Sequence, residues 1–200
     1  MFMPIRTPFI AVFLLIITSI SSIAGKYTTV IIDPGHGGKD KGAVWYGVRE
    51  SDLNLKVAKK VEAMLKAKKI PCRMTRRSDV YVSLSGRAAI ANRYKDAIFV
   101  SIHFNAHRNT SVKGVETFYA SAKGKRIATN IQNKVVSKVK TRNRYIKLGM
   151  AYAVLNKTKC PAVLIECGFI SNSVERRRCA TSWYQTLAAR GIVEGIILSR

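Results

Sequence analysis

Acidic side chains are scarce in this chain of 200 residues, which has 11 aspartates and glutamates against 35 lysines and arginines and a formal net charge of +24. This excess excludes a neutral surface and predicts attraction to polyanions such as nucleic acids, anionic lipid head groups or acidic wall polymers. The chain also lacks collagen-like repeats, heptad arrays and low-complexity tracts. Apolar residues make up 48% of it, which predicts a globular domain with a sizeable core.

Several common site motifs are missing. There is no HExxH, which excludes helix-based metalloproteases, and the glycine-rich stretch at 35–38 is neither a GxGxxG nor a Walker motif. Zinc-finger spacing and aromatic RNA-binding signatures are lacking, so no nucleic acid is expected as a partner. The cysteines contain no CxxC pair, which disfavours a cysteine-based metal site. In an oxidising compartment they allow one or two disulfides, in three possible pairings; they are Cys72, Cys160, Cys167 and Cys179.

The N-terminal segment predicts export. Arg6 precedes an apolar run over 9–20, and small residues at 22 and 24 are followed by Gly25. This order is typical of a secretory signal peptide. An uncleaved membrane anchor is the alternative, but the run is shorter than the roughly 20 residues that span a bilayer. We therefore predict a cleaved signal peptide over 1–24, membrane contact only during export, and a periplasmic location.

Beyond this segment, the chain alternates between strand and helix patterns. Strands are predicted at 27–33, 72–75, 97–103, 114–119, 152–155 and 162–166, and helices at 51–69, 84–93, 123–139 and 183–198. The alternation predicts an α/β fold with a mixed, mostly parallel central sheet of about six strands and helices on both faces. No linker divides the pattern, so residues 25–200 are predicted to form a single domain.

Ionisable side chains follow predicted strands at the sheet edge where α/β folds bind ligands. His36 comes just after the first strand, and His103 and Glu166 close two apolar strands. Glu50 lies at the start of the first long helix. Two imidazoles and a carboxylate can hold a catalytic zinc, which leaves room for water and needs a further carboxylate as base. Taken singly, each histidine is equally compatible with a structural role, and Glu50 is equally compatible with a glutamate that only stabilises the helix N-terminus.

Six sequence blocks occur in an order that matches a known family. They are VIIDPGHGGKDKGA, RESDLNL, MTRRSDVYVSLSGRAAIAN, FVSIHFNA, GVETFY and PAVLIECGFISN. Through them the chain resembles the zinc-dependent N-acetylmuramoyl-L-alanine amidases of the Amidase_3 family, which are typified by bacterial cell-division enzymes. The resemblance implies that His36, Glu50 and His103 bind Zn²⁺. It implies that Glu166 is the catalytic glutamate, and that the domain hydrolyses the amide between N-acetylmuramic acid and L-alanine.

The same resemblance implies peptidoglycan as the partner of an expected monomer, and it leaves an activator protein open. Two other functions also stay open. One is a zinc-dependent peptidase that acts on peptidoglycan stem peptides with the same scaffold. The other is a non-catalytic envelope-binding protein whose basic face carries its function.

Three further parts of the sequence bear on the predicted site. His107 lies four residues after His103, but the polar run that follows it predicts a loop, so His107 is expected at the surface. Glu116 is either a support for the metal site or a surface glutamate on an edge strand. The segment 142–147 lies where the family tends to have an Arg-Gly pair, and Tyr145 replaces the glycine.

Overall fold

A computed structural model describes residues 27–200, so the predicted signal peptide over 1–24 lies outside the described residues. The strands are β1 (Thr29–Pro34), β2 (Val44–Trp45), β3 (Val48–Arg49), β4 (Cys72–Met74), β5 (Ala97–Asn105), β6 (Val115–Tyr119), β7 (Asn143–Leu148) and β8 (Ala162–Phe169). The helices are α1 (Glu50–Ala67), α2 (Leu84–Ala91), α3 (Ala122–Val139), α4 (Ala153–Lys157), α5 (Ser173–Cys179) and α6 (Ser182–Ile197). Among the described helices, none combines the length and the apolar character needed to cross a membrane.

Six of the strands form one mixed sheet in the order β4-β1-β5-β8-β6-β7. The first four run parallel, β6 is antiparallel to β8, and β7 is parallel to β6. The carboxyl ends of β1, β5 and β8 therefore meet the amino end of β6 at one edge of the sheet. This architecture confirms the predicted α/β fold with its mostly parallel central sheet.

Apolar layers cover both faces of the sheet. Alternate side chains of β1 point to opposite faces, so Val30 and Ile32 belong to the apolar layer that includes α1, α3 and α6, whereas Ile31 belongs to the layer that includes α2 and α4. The larger layer is dense enough for α6 to touch the α3 backbone. A Cβ on Gly195 of α6 would lie 2.5 Å from the Ile131 Cα, so only glycine permits this approach.

The structure corrects one predicted element. Residues 152–155 were expected to form a strand, but Ala153–Lys157 is a short helix that Tyr152 precedes in an extended conformation. A short apolar run does not distinguish strand from helix by periodicity. Here Val154 and Leu155 are buried against the smaller apolar layer, and the sheet takes Asn143–Leu148 as its outer strand instead.

Three elements were not predicted, because their signals are short or polar. The β2–β3 hairpin turns through Tyr46 and Gly47, whose φ angles of 47° and 78° are typical of a two-residue turn. Strand β7 has charged side chains and reads as a loop. Helix α5 has seven residues and is capped by Asn172, whose side chain accepts hydrogen bonds from the backbone amides of Val174 and Glu175.

Candidate metal centre and active site

The loop after β1 carries His36 at the carboxyl edge of the sheet. The Gly35 amide donates a hydrogen bond of 3.1 Å to the Ile102 carbonyl of β5, which draws the loop onto that strand. A Cβ on Gly35 would lie 2.1 Å from the His103 imidazole, so this approach needs glycine. As a result the His36 and His103 rings meet edge to face, with centroids 5.0 Å apart.

Two buried arginines hold the same loop by its carbonyl oxygens. Arg76 donates from Nε to the Pro34 carbonyl at 2.9 Å and from Nη2 to the Gly35 carbonyl at 2.8 Å. Arg87 donates from Nη1 to the Pro34 carbonyl at 2.8 Å and from Nη2 to the His36 carbonyl at 2.7 Å. Three consecutive carbonyls are therefore satisfied by fixed donors, which sets the position of the His36 backbone.

Asp33 of β1 holds Arg87 in place. Its carboxylate accepts hydrogen bonds from the Thr75 hydroxyl at 2.5 Å, from Arg87 Nη1 at 2.7 Å and from the Ser101 hydroxyl at 2.7 Å. The carboxylate is fully buried, so its charge is compensated only by these partners. The site is thus built on a buried ion pair as well as on backbone contacts.

His36, Glu50 and His103 converge on one point. Their ligand atoms all lie within 4.8 Å of one another. His36 Nε2 lies 3.2 Å and His103 Nδ1 lies 2.8 Å from the same oxygen, Glu50 Oε1. Two nitrogens and a carboxylate oxygen from three separate elements can hold a divalent metal ion. The structure therefore brings the three predicted ligands together, and their role as ligands stays a prediction.

Two of the three donors of this metal group, His36 and Glu50, are oriented by further contacts. Asp40 Oδ2 lies 2.8 Å from His36 Nδ1, which leaves Nε2 facing Glu50. Glu50 Oε2 accepts a hydrogen bond from the Ala43 amide at 3.0 Å. Gly42 completes the turn, because a Cβ there would lie 2.6 Å from Glu50 Oε2. The loop 36–43 thus holds both ligands in place.

The electrostatics of the metal group favour an ionised Glu50. Burial alone raises the pKa of Glu50, but hydrogen bonds and charge from His103 and His36 outweigh burial and hold this pKa well below its ordinary value. For His36, burial lowers the pKa, but Glu50 and Asp40 outweigh it and raise this pKa. Glu50 is therefore a carboxylate at neutral pH and is ready to bind a cation.

Glu166 lies beside the metal group on β8. In the sheet register it pairs with His103 of β5 on one side and with Glu116 of β6 on the other. Its Oε2 is buried and has no hydrogen-bond partner among residues 27–200. Burial, followed by the charges of Glu50 and Glu116, raises the pKa of Glu166 well above its ordinary value. A carboxyl group in this state is suited to accept a proton and release it again.

The metal group and Glu166 open into one cavity of about 450 Å³. Its polar side comes from these residues together with Asp40 and Asn105. Its apolar side comes from Tyr81, Val82 and Leu84, before and at the start of α2, and from residues 151–154, at the start of α4. A cleft with a few convergent polar groups and an apolar wall is typical of a small-molecule or peptide site.

Residues outside the predicted set divide into surface and buried positions. His107 is exposed and its Nδ1 accepts a hydrogen bond from the Asn109 amide, which confirms its predicted surface position. Of the two alternatives for Glu116, the surface glutamate on an edge strand is wrong, because β6 lies between β8 and β7 and Glu116 is 4% exposed. All four cysteines are free and buried, and none forms a disulfide.

Sequence reasoning missed the residues that position the metal group. Asp40, Arg76 and Arg87 each look like a surface charge in the sequence, because the partner lies far along the chain or within a turn. A signal existed for Asp40, since a carboxylate four residues after a candidate histidine ligand is within reach when glycines turn the chain back. The two arginines carry no such local signal.

Comparisons with known proteins agree with the fold and identify the family. The family model described as N-acetylmuramoyl-L-alanine amidase matches residues 30–198. The amidase LytC of Bacillus subtilis is 36% identical over 173 residues, which are 84% of this chain and 35% of LytC. The chain thus spans about a third of that relative.

Solved structures give the same result over most of their own length. An N-acetylmuramoyl-L-alanine amidase from Clostridium difficile 630 is 40% identical with a TM-score of 0.81, and the match covers 85% of this chain and 95% of that structure. The CwlD amidase from Clostridioides difficile, solved in complex with the GerS lipoprotein, is 31% identical with a TM-score of 0.82. The match covers 86% of this chain and 98% of that structure. The predicted family resemblance is confirmed.

Proposed function

Because the chain belongs to the N-acetylmuramoyl-L-alanine amidase family, we propose that it hydrolyses the amide bond between the lactyl group of N-acetylmuramic acid and L-alanine in peptidoglycan. The observation that carries this proposal is the convergence of His36, Glu50 and His103 beside the buried Glu166 in one cavity. A binding protein without catalysis has no need of an unpartnered carboxyl group at this place.

His36, Glu50 and His103 would hold a zinc ion. Two imidazole nitrogens and a carboxylate are a donor set that catalytic zinc prefers, and three protein ligands leave a further position open. A bound zinc ion supplies a Lewis acid that polarises a carbonyl group and lowers the pKa of water. The contacts of Asp40 and Ala43 orient these donors in advance.

Glu166 would act as the general base and then as the general acid. Its unpartnered Oε2 accepts the proton of the attacking water. When the carbon–nitrogen bond breaks, the same carboxyl group delivers this proton to the amine of L-alanine, and a free stem peptide leaves. The raised pKa of Glu166 supports the second step, because it helps the carboxyl group to keep the proton until the amine leaves.

A digest of purified peptidoglycan tests the reaction, the bond and the metal together. The purified protein is incubated with sacculi with and without a chelator, and the soluble products are analysed by mass spectrometry. We expect stem peptides that begin with a free L-alanine amine, and we expect the chelator to abolish their release. Products that lack only a terminal D-alanine would support the zinc peptidase. Binding to sacculi without any release, by a protein free of metal, would support the envelope-binding alternative.

Variants separate metal binding from proton transfer. Glu166→Gln is expected to retain zinc but to lose hydrolysis, whereas His36→Ala is expected to lose both. Asp52→Asn is the matched control, because Asp52 pairs with Arg49 at the surface of α1 and lies outside the metal group. Full activity of Glu166→Gln would overturn the assigned role of that carboxyl group.

We also propose that the protein acts in the periplasm after cleavage of residues 1–24. The N-terminal charge and apolar run support this proposal. Cell fractionation and N-terminal sequencing test it: the mature chain should be periplasmic and begin at Gly25. A cytoplasmic chain that begins at Met1 would overturn it.

An activator protein is proposed as a further partner. The support is that the similar CwlD amidase was solved in complex with the GerS lipoprotein. The test adds a membrane extract of the same cells to the purified protein during the sacculus digest. A rise in the rate that protease treatment of the extract removes would support a protein activator, and an unchanged rate would contradict it.

A further inference from the structure

Ionisable side chains form one row across four strands of the sheet. His103 of β5 pairs with Glu166 of β8, and Glu166 pairs with Glu116 of β6. Residues that pair in register point to the same face of a sheet. The row continues to β7, because Arg144 contacts the Glu116 carboxylate. The catalytic edge therefore extends sideways from the metal group to the outer strand.

Glu116 gathers two cations at the end of this row. Arg144 Nε lies 2.9 Å and Lys147 Nζ lies 2.6 Å from its Oε2, and the Asn105 amide donates to its Oε1 at 3.0 Å. One buried carboxylate thus faces two positive charges, which leaves the cluster with an excess of one positive charge. Asn105 also lines the cavity, so the cluster lies directly beside the cleft.

Backbone geometry places both cations on the same side of β7. Residues three apart on a regular strand point to opposite faces. Tyr145 has a φ of 63°, and the pairing of β6 with β7 shifts its register between Val115 and Thr117. This irregularity lets Arg144 and Lys147 reach the same oxygen.

The cations keep donors for another anion. Among the hydrogen bonds of residues 27–200, the Arg144 guanidinium uses only Nε on Glu116, so its two terminal nitrogens are available for a carboxylate. The Lys147 side chain is 41% exposed and the Arg144 side chain 26%. Both are partly buried, which makes an ion pair there stronger than one in open solvent.

The distance to Glu166 matches the length of a peptide substrate. Strand β7 lies two strand spacings from β8, which is about 10 Å. An extended peptide covers about 3.3–3.6 Å per residue, so a chain whose first amide lies at Glu166 reaches the cation pair with its second or third residue. Stem peptides carry a free carboxylate on their second residue, D-glutamate, and another on the third residue where that is diaminopimelate.

We propose that Arg144 and Lys147, held side by side by Glu116, form a subsite that binds a free carboxylate on the second or third residue of the stem peptide. This inference rests on the proposed amidase function. The subsite selects stem peptides with free carboxylates over those whose carboxylates are amidated. Glu116 is a positioning residue, because it holds the two cations and does not itself contact the substrate.

Soluble muropeptides with defined carboxylates test the subsite. The substrates carry free acids on both residues, an amide on the second residue only, or an amide on the third only. We expect one of the two amides to lower the kcat/KM of the unchanged protein by about tenfold or more through KM, because it removes a charged contact. Arg144→Gln and Lys147→Gln should cause a similar loss on the free acid and little further loss on that amide. Arg142→Gln, an exposed position on the same segment, is the matched control and should match the unchanged protein.

Binding measurements keep the subsite and the reaction apart. Calorimetry with Glu166→Gln reports the affinity for each muropeptide without turnover. If Glu166→Gln binds the free acid more tightly than the amide, and Glu166→Gln/Arg144→Gln does not, the subsite is supported even if no substrate is cleaved. Absence of cleavage by the unchanged protein overturns the proposed function alone. Equal affinity for acid and both amides overturns the subsite. Because this comparison needs only substrates, it stands if the arginine variant fails to fold.

Discussion

The buried ion pair of Arg87 and Asp33 offers a quantitative test of how the His36 loop is held. Arg87→Met removes the guanidinium and keeps a long apolar side chain. The two charged groups are 3% and 1% exposed and lie 2.7 Å apart. Without Arg87, the Asp33 carboxylate keeps the hydroxyls of Thr75 and Ser101, but it remains a buried charge with no opposite charge in contact.

The expected loss of stability follows from these contacts. Removal of one partner from a buried ion pair costs about 3–5 kcal/mol. The carbonyls of Val82 and His36 also lose their Arg87 donor, and each one that water does not reach adds about 1–3 kcal/mol. We therefore expect the free energy of unfolding to fall by about 5 kcal/mol, against a total of about 5–15 kcal/mol for typical domains.

Urea unfolding of the metal-free protein, followed by circular dichroism, measures this loss. Arg93→Met is the control, because Arg93 is exposed just beyond α2, and it should change the free energy by no more than about 0.5 kcal/mol. The double variant Asp33→Asn/Arg87→Met should recover at least about 2 kcal/mol relative to Arg87→Met, since no uncompensated charge remains. A loss below about 1 kcal/mol in the single variant, or no recovery in the double variant, would refute this reasoning.

Three further predictions concern the ligands, the proton carrier and the helix contact. Asp40→Ala should weaken zinc binding by about 10–100-fold in a chelator competition, because His36 loses its orienting carboxylate; an unchanged affinity would contradict that role. The pKa of Glu166 is higher in the folded than in the unfolded chain. Its contribution to stability is therefore fully present at a pH below the ordinary pKa of 4.5, and it is lost as the pH rises and the buried carboxyl group ionises. Metal-free Glu166→Gln should therefore unfold at higher urea than the unchanged protein at pH 8 but not at pH 4, and a gain independent of pH would count against this cause. Gly195→Ala should destabilise the protein by about 1–3 kcal/mol in urea unfolding, because its Cβ meets Ile131; a gain, as helix propensity alone predicts, would show that the two helices can separate.

Local patterns were sufficient for the main elements and for three of the four predicted site residues. The apolar strands 97–103 and 162–166 were visible because a sheet covered on both faces needs continuous apolar runs. Parallel strands bring their carboxyl ends to one edge, so a residue that follows such a strand could be placed beside others without knowledge of the loops. His36, His103 and Glu166 were found in this way, and the family resemblance singled out Glu50.

The remaining features depend on contacts that no local pattern contains. Arg76 and Arg87 are polar in sequence, but both are buried because the carbonyls of a distant loop accept their hydrogen bonds. Strand β7 has a charged sequence, because Arg144 and Lys147 form ion pairs with the Glu116 carboxylate. The helix at 153–157 was mistaken for a strand because burial decides between the two forms only after the sheet is assembled.

The four buried thiols have a consequence for the proposed periplasmic location. Burial raises the pKa of Cys160 to about 11, and it also raises the pKa of Cys72, Cys167 and Cys179. Oxidation and disulfide exchange proceed through the thiolate, a form that the folded chain almost never presents at neutral pH. The native domain therefore has no disulfide to form, and once folded it resists the mispairing that an oxidising environment imposes on accessible cysteines.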